Sequence, residues 1–171
     1  MHQLILMRHA KAARARDDET DHARPLTLAG RDAALRLRAS LRVLGIEPDV
    51  VLVSSARRAM ETLECVAFWD EQPNIEVLDT LYMAPASRLL ELIGGLRETM
   101  RSVMVIGHNP GLLELALNLA AGATSPTAAH KTLNEGFPTA RLVDFVVLTP
   151  WRDLRASGSR LQRVIDPPAP R

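Results

Sequence analysis

Short apolar runs alternate with longer segments of helical period along this chain. The runs at 3–8, 50–53 and 102–106 are nearly continuous stretches of aliphatic residues, bounded by polar or turn-forming residues. Runs of this length and composition are typical of buried strands. Because strands that alternate with helices are typical of the α/β class, the pattern predicts an α/β fold.

The remaining elements follow from the same reasoning. Further strands are predicted at 75–78, 141–148 and 161–165, and helices at 27–44, 56–69, 89–100 and 110–122. The core face of the first helix is expected to carry Leu28, Leu35, Leu37, Leu41 and Leu44, which recur near helical spacing. Segment 123–138 is predicted to be a long loop, either functional or mobile. The proline-rich end, 166–171, is predicted to be a frayed tail.

Composition narrows the class of protein. A length of 171 residues makes one domain, 1–171, the default expectation. A net charge of +1 gives no bulk attraction to nucleic acid or to an anionic membrane, so neither is expected as a partner. Cys65 is the only cysteine, which excludes an internal disulfide, and the apolar stretch near the amino terminus is too short for a signal peptide. We therefore expect a soluble cytoplasmic protein.

Polar residues follow three of the predicted strands at the point where each strand ends. Arg8 and His9 follow the first strand, 54–58 the second and 107–110 the third. If these strands are parallel neighbours, their ends meet at one edge of the sheet, where ligands bind in open α/β folds. A guanidinium beside an imidazole suits phosphoryl transfer, because the cation pairs with phosphate and the ring nitrogen is a nucleophile.

The second of these segments, 54–58, places two arginines at an unfavourable position in a predicted helix. With Ser55 as the helix cap, Arg57 and Arg58 fall in the first turn, where the positive end of the helix dipole disfavours cations. A bound anion would reverse that penalty, whereas the alternative is that both arginines point to solvent. In the third segment, Gly107 permits close backbone approach. His108 beside it belongs either to the same site or to a hydrogen-bonded structural contact.

Taken together, these segments resemble a known family. The resemblance is carried, in order, by Arg8-His9-Ala10, Arg24-Pro25-Leu26-Thr27 with Gly30, 54–62, Gly107-His108-Asn109-Pro110 and Phe137-Pro138-Thr139-Ala140. These stretches are similar to the motifs of the histidine phosphatase superfamily, in its SixA-like phosphohistidine phosphatase branch, although Ser55 stands where the family has proline. The resemblance implies a single-domain, three-layer sandwich of the phosphoglycerate mutase type, with a mostly parallel central sheet flanked by helices.

The resemblance also implies roles for individual residues. His9 is expected to attack phosphorus and to carry a transient phosphoryl group, while Arg8, Arg58 and His108 are expected to be catalytic and to bind its oxygens. Arg24 is expected to contact the substrate at the rim of the pocket. Nearby guanidiniums would keep His9 neutral and therefore nucleophilic near pH 7. No metal or other cofactor is expected, because the arginines supply the positive charge.

A general acid for the leaving group is not evident in the sequence. The candidate carboxylates are Glu76 and Asp79, with Asp17, Asp18 and Glu19 as further candidates, but a solvated surface group is the favoured interpretation of each. Because an imidazole leaves more easily than an alkoxide, a phosphorylated protein, for example a histidine phosphotransfer domain, is the expected substrate. The alternatives are a small-molecule phosphomonoesterase and a phosphate-binding module without catalysis.

The remaining chemically distinctive residues are expected to have no part in the site. We predict that His2, His22 and His130 are exposed, that Trp69 and Trp151 pack at the ends of elements, and that Cys65 is inert on the apolar side of a helix.

Overall fold

A six-stranded sheet forms the centre of the computed structural model, which describes residues 1–170. Its strands are β1 His2–Arg8, β2 Val50–Ser54, β3 Asn74–Leu78, β4 Ser102–Gly107, β5 Leu142–Val147 and β6 Ser159–Ile165. Their order across the sheet is β3-β2-β4-β1-β5-β6. The first four strands in that order are parallel, whereas β5 runs antiparallel to both β1 and β6. The sheet is therefore mostly parallel, as the sequence predicts.

Helices cover both faces of this sheet. They are α1 Leu28–Val43, α2 Arg57–Val66, α3 Ala86–Gly94, α4 Gly111–Ala120 and α5 Ala128–Asn134. Along β1, Ile5 and Met7 enter the core formed with α1 and α2, while Leu4 and Leu6 enter the core formed with α3, α4 and α5. Successive side chains of a strand point to opposite faces, so one apolar run supplies both cores. The predicted three-layer α/β sandwich is confirmed.

The buried face of α1 agrees only in part with the leucine spacing, because Leu37 and Leu41 are buried as predicted and the other predicted leucines are not. The exposed leucines are Leu28, Leu35 and Leu44, and the buried series is Gly30, Ala34, Leu37 and Leu41. Leu28 is 87% exposed. The reason is close packing at the start of α1, where a Cβ on Gly30 would lie 2.2 Å from the carbonyl oxygen of Lys11. The helix face that begins with Gly30 can pack closely against the backbone of Lys11, and a face that begins with a leucine side chain cannot.

Segment 123–138 is not one continuous loop, because α5 occupies its middle. The backbone N–H of Thr127 donates to Nδ1 of His130 at 3.1 Å and so caps the start of this helix. Leu133 anchors α5 in the core. Seven residues are too few to show a helical period. The capping box could not be recognised from the sequence either, because histidine stands in the position usually held by glutamate or glutamine.

Other boundaries differ from the predictions by a few residues. Helix α2 ends at Val66 rather than near 69, and α3 covers 86–94 rather than 89–100. Ala56, and not Ser55, is the N-cap of α2, which still leaves Arg57 and Arg58 in its first turn. No helix within residues 1–170 is both long and apolar enough to cross a bilayer.

Two histidines that were predicted to be exposed are buried, namely His2 and His130. His2 begins β1 and packs against Trp151, and His130 turns inward to cap α5. In both residues, the imidazole ring packs as an apolar group with polar nitrogens at its edge. Trp69, Trp151 and Cys65 are buried as predicted, and burial raises the pKa of the Cys65 thiol.

The proline-rich end makes two contacts with the rest of the chain. Arg141 donates to both carboxylate oxygens of Asp166, at 2.7 and 2.6 Å. Arg36 donates to the carbonyl oxygen of Pro168 at 2.7 Å. Arg171, the last residue of the predicted frayed tail, lies outside the described residues.

Candidate active site

The carboxyl ends of β1, β2 and β4 meet at one edge of the sheet. Strand β4 lies between β1 and β2, and all three run parallel. The polar segments that follow these strands therefore converge. A pocket of about 280 Å³ lies there, and its lining includes Arg8, His9, Arg24, Arg58 and His108. The structure thus brings together all five residues that were selected from the sequence.

His9 is held in one tautomer. Its Nδ1 lies 2.7 Å from the carbonyl oxygen of Ala10, which can only accept a hydrogen bond, so Nδ1 carries the proton. Its Nε2 accepts a hydrogen bond from Nε of Arg58 at 3.3 Å and therefore keeps its lone pair. Burial, together with the positive charges of Arg58 and Arg8, lowers the pKa of His9 to about 4. At neutral pH, His9 is a neutral imidazole with a nucleophilic nitrogen in the pocket.

Arg58 connects the groups around the pocket and is only 2% exposed. Its Nη1 donates to the backbone carbonyl of Asp21 at 2.8 Å, and its Nη2 donates to the carboxylate of Asp21 at 3.1 Å. Nη2 also lies 3.3 Å from Nδ1 of His108. Of the two alternatives for the arginine pair, exposure to solvent therefore applies to Arg57, whose exposed side chain pairs with the buried carboxylate of Glu61, and not to Arg58.

His108 completes the pair of imidazoles. Its Nδ1 faces a guanidinium, which can only donate, so Nδ1 keeps its lone pair and Nε2 donates to Oγ of Ser54 at 2.7 Å. Burial, together with His9 and Arg58, lowers the pKa of His108 to about 3. The ring centroids of His9 and His108 are 5.1 Å apart. One small anion can therefore contact both rings.

Arg8 supplies a second guanidinium with spare donor capacity. Its Nη1 donates to the carbonyl oxygen of Phe137 at 3.0 Å. Its Nε is buried, and within residues 1–170 it has no hydrogen-bond acceptor. Leaving a buried N–H unpaired is costly, and an oxyanion in the pocket would satisfy it. Nδ2 of Asn109 donates to the same Phe137 carbonyl at 2.8 Å, so the segment before β5 closes one wall of the pocket.

Two side chains of α2 hold the pocket segments together. The hydroxyl of Thr62 accepts from the backbone N–H of Ala10 at 3.0 Å and donates to the carbonyl of Arg58 at 2.7 Å. The buried carboxylate of Glu61 accepts from the backbone N–H of Leu26 at 2.7 Å. The motif that contains the pocket arginine therefore also contains the residues that fasten α2 to the chain after β1.

The carboxylate that lines the pocket is one that the sequence did not reveal. It is Asp21, whereas the candidates Glu76, Asp79, Asp17, Asp18 and Glu19 all lie outside the pocket lining. Asp21 Oδ1 accepts from Nε of Arg24 at 2.9 Å, and Oδ2 accepts from the hydroxyl of Tyr82. The hydrogen bond from Tyr82, helped by the charges of Arg58 and Arg24, lowers the pKa of Asp21 to about 2. The only signal in the sequence was the spacing of Asp21 and Arg24, three residues apart in a polar segment.

Comparisons with known proteins identify the family. The profile of the histidine phosphatase superfamily (branch 1) matches residues 4–82. Phosphohistidine phosphatase SixA of Escherichia coli is 35% identical over 129 residues, which cover 72% of this chain and 78% of that protein. The chain belongs to the histidine phosphatase superfamily.

Two further similarities extend over nearly the whole of this histidine phosphatase. An uncharacterised protein of Mycobacterium tuberculosis is 34% identical over 159 residues, which cover 91% of this chain and 96% of that protein. The solved structure of a SixA candidate from Nakamurella multipartitia matches with a TM-score of 0.85 at 29% identity, covering 98% of this chain and 97% of that one. The SixA-like resemblance seen in the sequence is therefore confirmed.

Proposed function

We propose that this histidine phosphatase removes the phosphoryl group from phosphohistidine in a protein, with His9 as the nucleophile. The observation that carries the proposal is the position of His9 Nε2, which keeps its lone pair at neutral pH and shares one pocket with three guanidiniums and His108. Planar guanidiniums pair well with phosphate oxygens, and a neutral imidazole is the form that attacks phosphorus.

The reaction consists of two transfers of the same phosphoryl group. In the first, a bond forms between His9 Nε2 and phosphorus, the bond from phosphorus to the leaving nitrogen breaks, and its electron pair stays on the leaving imidazole. In the second, water attacks phosphorus and releases a proton, the electron pair returns to Nε2, and inorganic phosphate departs. Arg8 and Arg58 offset the negative charge on the equatorial oxygens in both steps, and the unpaired Nε of Arg8 offers a donor for one of them.

The ionised form of the pocket carboxylate, Asp21, favours phosphohistidine over phosphate esters as the substrate. An alkoxide leaving group needs a proton from an acid, whereas an imidazole that is already protonated on its other nitrogen needs none. Asp21 is the only carboxylate in the pocket lining within the described residues, and its pKa of about 2 leaves it ionised at neutral pH. The pocket of about 280 Å³ also suits a single phosphorylated side chain presented by another protein.

Turnover measurements on two classes of substrate test the proposal. The protein is incubated with a phosphohistidine-containing phosphotransfer domain and, separately, with sugar phosphates, and kcat/KM for phosphate release is compared. We expect the phosphoprotein to be the better substrate. Samples treated with a labelled phosphodonor and denatured at alkaline pH should show label on the protein that is stable in base and lost in acid, and His9→Ala should abolish both the label and the turnover. His130→Gln is the matched control, because that histidine is buried and lies outside the pocket lining.

Each alternative has a distinct result. Faster hydrolysis of sugar phosphates would favour a small-molecule phosphomonoesterase, and binding of phosphate without turnover would favour a recognition module. A His9→Ala protein that hydrolyses at the parental rate would exclude His9 as the nucleophile.

A further inference from the structure

A carboxylate in a pocket built for phosphate requires an explanation. The substrate brings negative charge into a site lined by Arg8, Arg24 and Arg58, and Asp21 opposes that charge. Because the cost of like charges rises in a partly desolvated site, a pocket that only had to bind phosphate would be better without this group.

The carboxylate is also held firmly in place. Its two oxygens accept hydrogen bonds from Arg24, Arg58 and the hydroxyl of Tyr82. Its side chain is nevertheless 52% exposed, whereas His9 and His108 are buried. Asp21 therefore lies at the open side of the pocket, where a group that leaves in line from His9 must project.

A role in positioning Arg58 does not by itself explain why residue 21 carries a carboxylate. The backbone carbonyl of Asp21 already accepts from Nη1 of Arg58 at 2.8 Å, and any residue at this position would supply that carbonyl. The side chain adds one contact to Nη2 at 3.1 Å and brings a full negative charge to the mouth of the pocket.

We propose that Asp21 is a specificity-determining residue that accepts a hydrogen bond from the distal ring N–H of a protonated phosphoimidazole, and so selects phosphohistidine over phosphate esters. This inference rests on the function proposed above. Phosphohistidine, unlike a phosphate ester, has a leaving group that can carry a positive charge. The carboxylate of Asp21 attracts that charge.

The chemistry of the step balances with the proton on the distal nitrogen. The Nε2–phosphorus bond forms at His9, the bond between phosphorus and the substrate nitrogen breaks, and the electron pair goes to that nitrogen. The leaving ring keeps its distal proton and departs as neutral imidazole. Asp21 remains ionised throughout and acts by stabilising the protonated ring before the bond breaks.

The test compares two small substrates that carry the same phosphoryl group. Phosphoimidazole has a leaving group that can be protonated, and p-nitrophenyl phosphate has one that needs neither a proton nor a positive charge. We would measure kcat/KM for both substrates with the parent protein, Asp21→Asn and Asp21→Glu. Asp18→Asn is the matched control, because Asp18 is an exposed carboxylate in the same segment and lies outside the pocket lining.

We expect Asp21→Asn to lower kcat/KM for phosphoimidazole by about 10- to 100-fold, the range for a charged hydrogen bond, and to change that for p-nitrophenyl phosphate by less than about threefold. In the pH profile of kcat for phosphoimidazole, the alkaline limb should move to lower pH, because the bound ring loses the carboxylate that favours its protonated form. Asp21→Glu should restore part of the preference, and Asp18→Asn should change neither substrate.

Equal losses on both substrates would mean that Asp21 only holds Arg58 in place, and would overturn the proposal. A selective loss on p-nitrophenyl phosphate, or no loss on either, would overturn it as well. A parent protein that hydrolyses p-nitrophenyl phosphate but neither phosphoimidazole nor a phosphohistidine protein would refute the proposed function itself, and with it the role of Asp21. The results for the parent protein and for the variants therefore separate the two failures.

Discussion

Two histidines at opposite ends of β1 have the same exposure and different chemical environments. His2 begins the strand and His9 directly follows it, and each is 7% exposed. Each also packs against a ring, since the centroid of Trp151 lies 4.6 Å from that of His2 and the centroid of His108 lies 5.1 Å from that of His9. Burial and ring packing therefore do not distinguish the two residues.

The charged neighbours do distinguish them. Nε2 of His2 lies 3.2 Å from the carboxylate of Glu98, whereas Nε2 of His9 lies 3.3 Å from the guanidinium of Arg58. A nitrogen that accepts from a donor keeps its lone pair, whereas Nε2 of His2 lies beside a carboxylate and makes no hydrogen bond within residues 1–170. The arrangement at His9 leaves a nucleophile available, and the arrangement at His2 supports the fold.

The sheet explains why the two ends differ. The parallel strands β1, β2 and β4 end side by side, so residues from the three segments that follow them meet. At the amino end of β1, the neighbours of His2 are Trp151, which belongs to the surrounding core, and Glu98, which is half exposed. In open α/β sheets, ligands bind at the carboxyl ends of the strands, and the pocket that contains His9 lies at that end.

Removal of the guanidinium beside His9 should have the largest effect. We expect Arg58→Gln to lower kcat/KM by about 100- to 1,000-fold, because it removes donors to the transferring phosphoryl group and breaks the contact that orients Nε2 of His9. The loss should be measured on a phosphohistidine protein. Arg57→Gln is the matched control, since that neighbouring arginine points to the surface, and it should retain activity within about threefold. Comparable losses in the two variants would show that charge on α2, rather than contact with His9, is what matters.

The pH dependence of stability should be smaller and should come from the same end of β1. The pKa values of His9 and His108 are lowered to about 4 and about 3, so the unfolded chain takes up protons first as the pH falls below about 6.5. Stability should therefore fall between pH 7 and pH 4, by at most a few kcal/mol, because a tenfold difference in proton affinity between the folded and unfolded chain corresponds to about 1.4 kcal/mol. The carboxyl of Asp21, whose pKa is lowered to about 2, should contribute a loss only at lower pH.

Urea unfolding at pH 7, 5.5 and 4.5 measures this effect. The double variant His9→Gln, His108→Gln should flatten the dependence, because it removes the groups that bind protons on unfolding. A parent protein whose free energy of unfolding stays constant over this range would contradict the neutral state assigned to the two rings.

A change at the other end of β1 should have the smallest effect. Glu98→Gln keeps an acceptor for the backbone N–H of Trp151, which donates to Oε1 of Glu98 at 3.0 Å, and removes the charge beside His2. Because Glu98 is half exposed, we expect a loss of at most about 1 kcal/mol in the free energy of unfolding. Activity should stay within about twofold of the parent. A large loss of kcat/KM with little loss of stability would show that the two ends of the strand are coupled.

The pocket residues could be selected from the sequence because each belongs to a short local pattern. Arg8, His9 and His108 each end or follow an apolar run, and Arg58 lies in the first turn of a helix that follows one. Parallel neighbouring strands are enough to bring such residues together. Asp21 could not be selected in the same way, since its place at the pocket depends on contacts with Arg58 and Tyr82, which lie far along the chain.

The sequence by itself determined the alternation of strands and helices and the polar residues at three strand ends, because both are properties of a few neighbouring residues. Only the tertiary structure decided which face of α1 is buried, which carboxylate enters the pocket and which nitrogen of His9 keeps its lone pair. Burial and hydrogen-bond partners depend on residues distant in the chain. The same residue type can therefore support the fold at His2 and offer a nucleophile at His9.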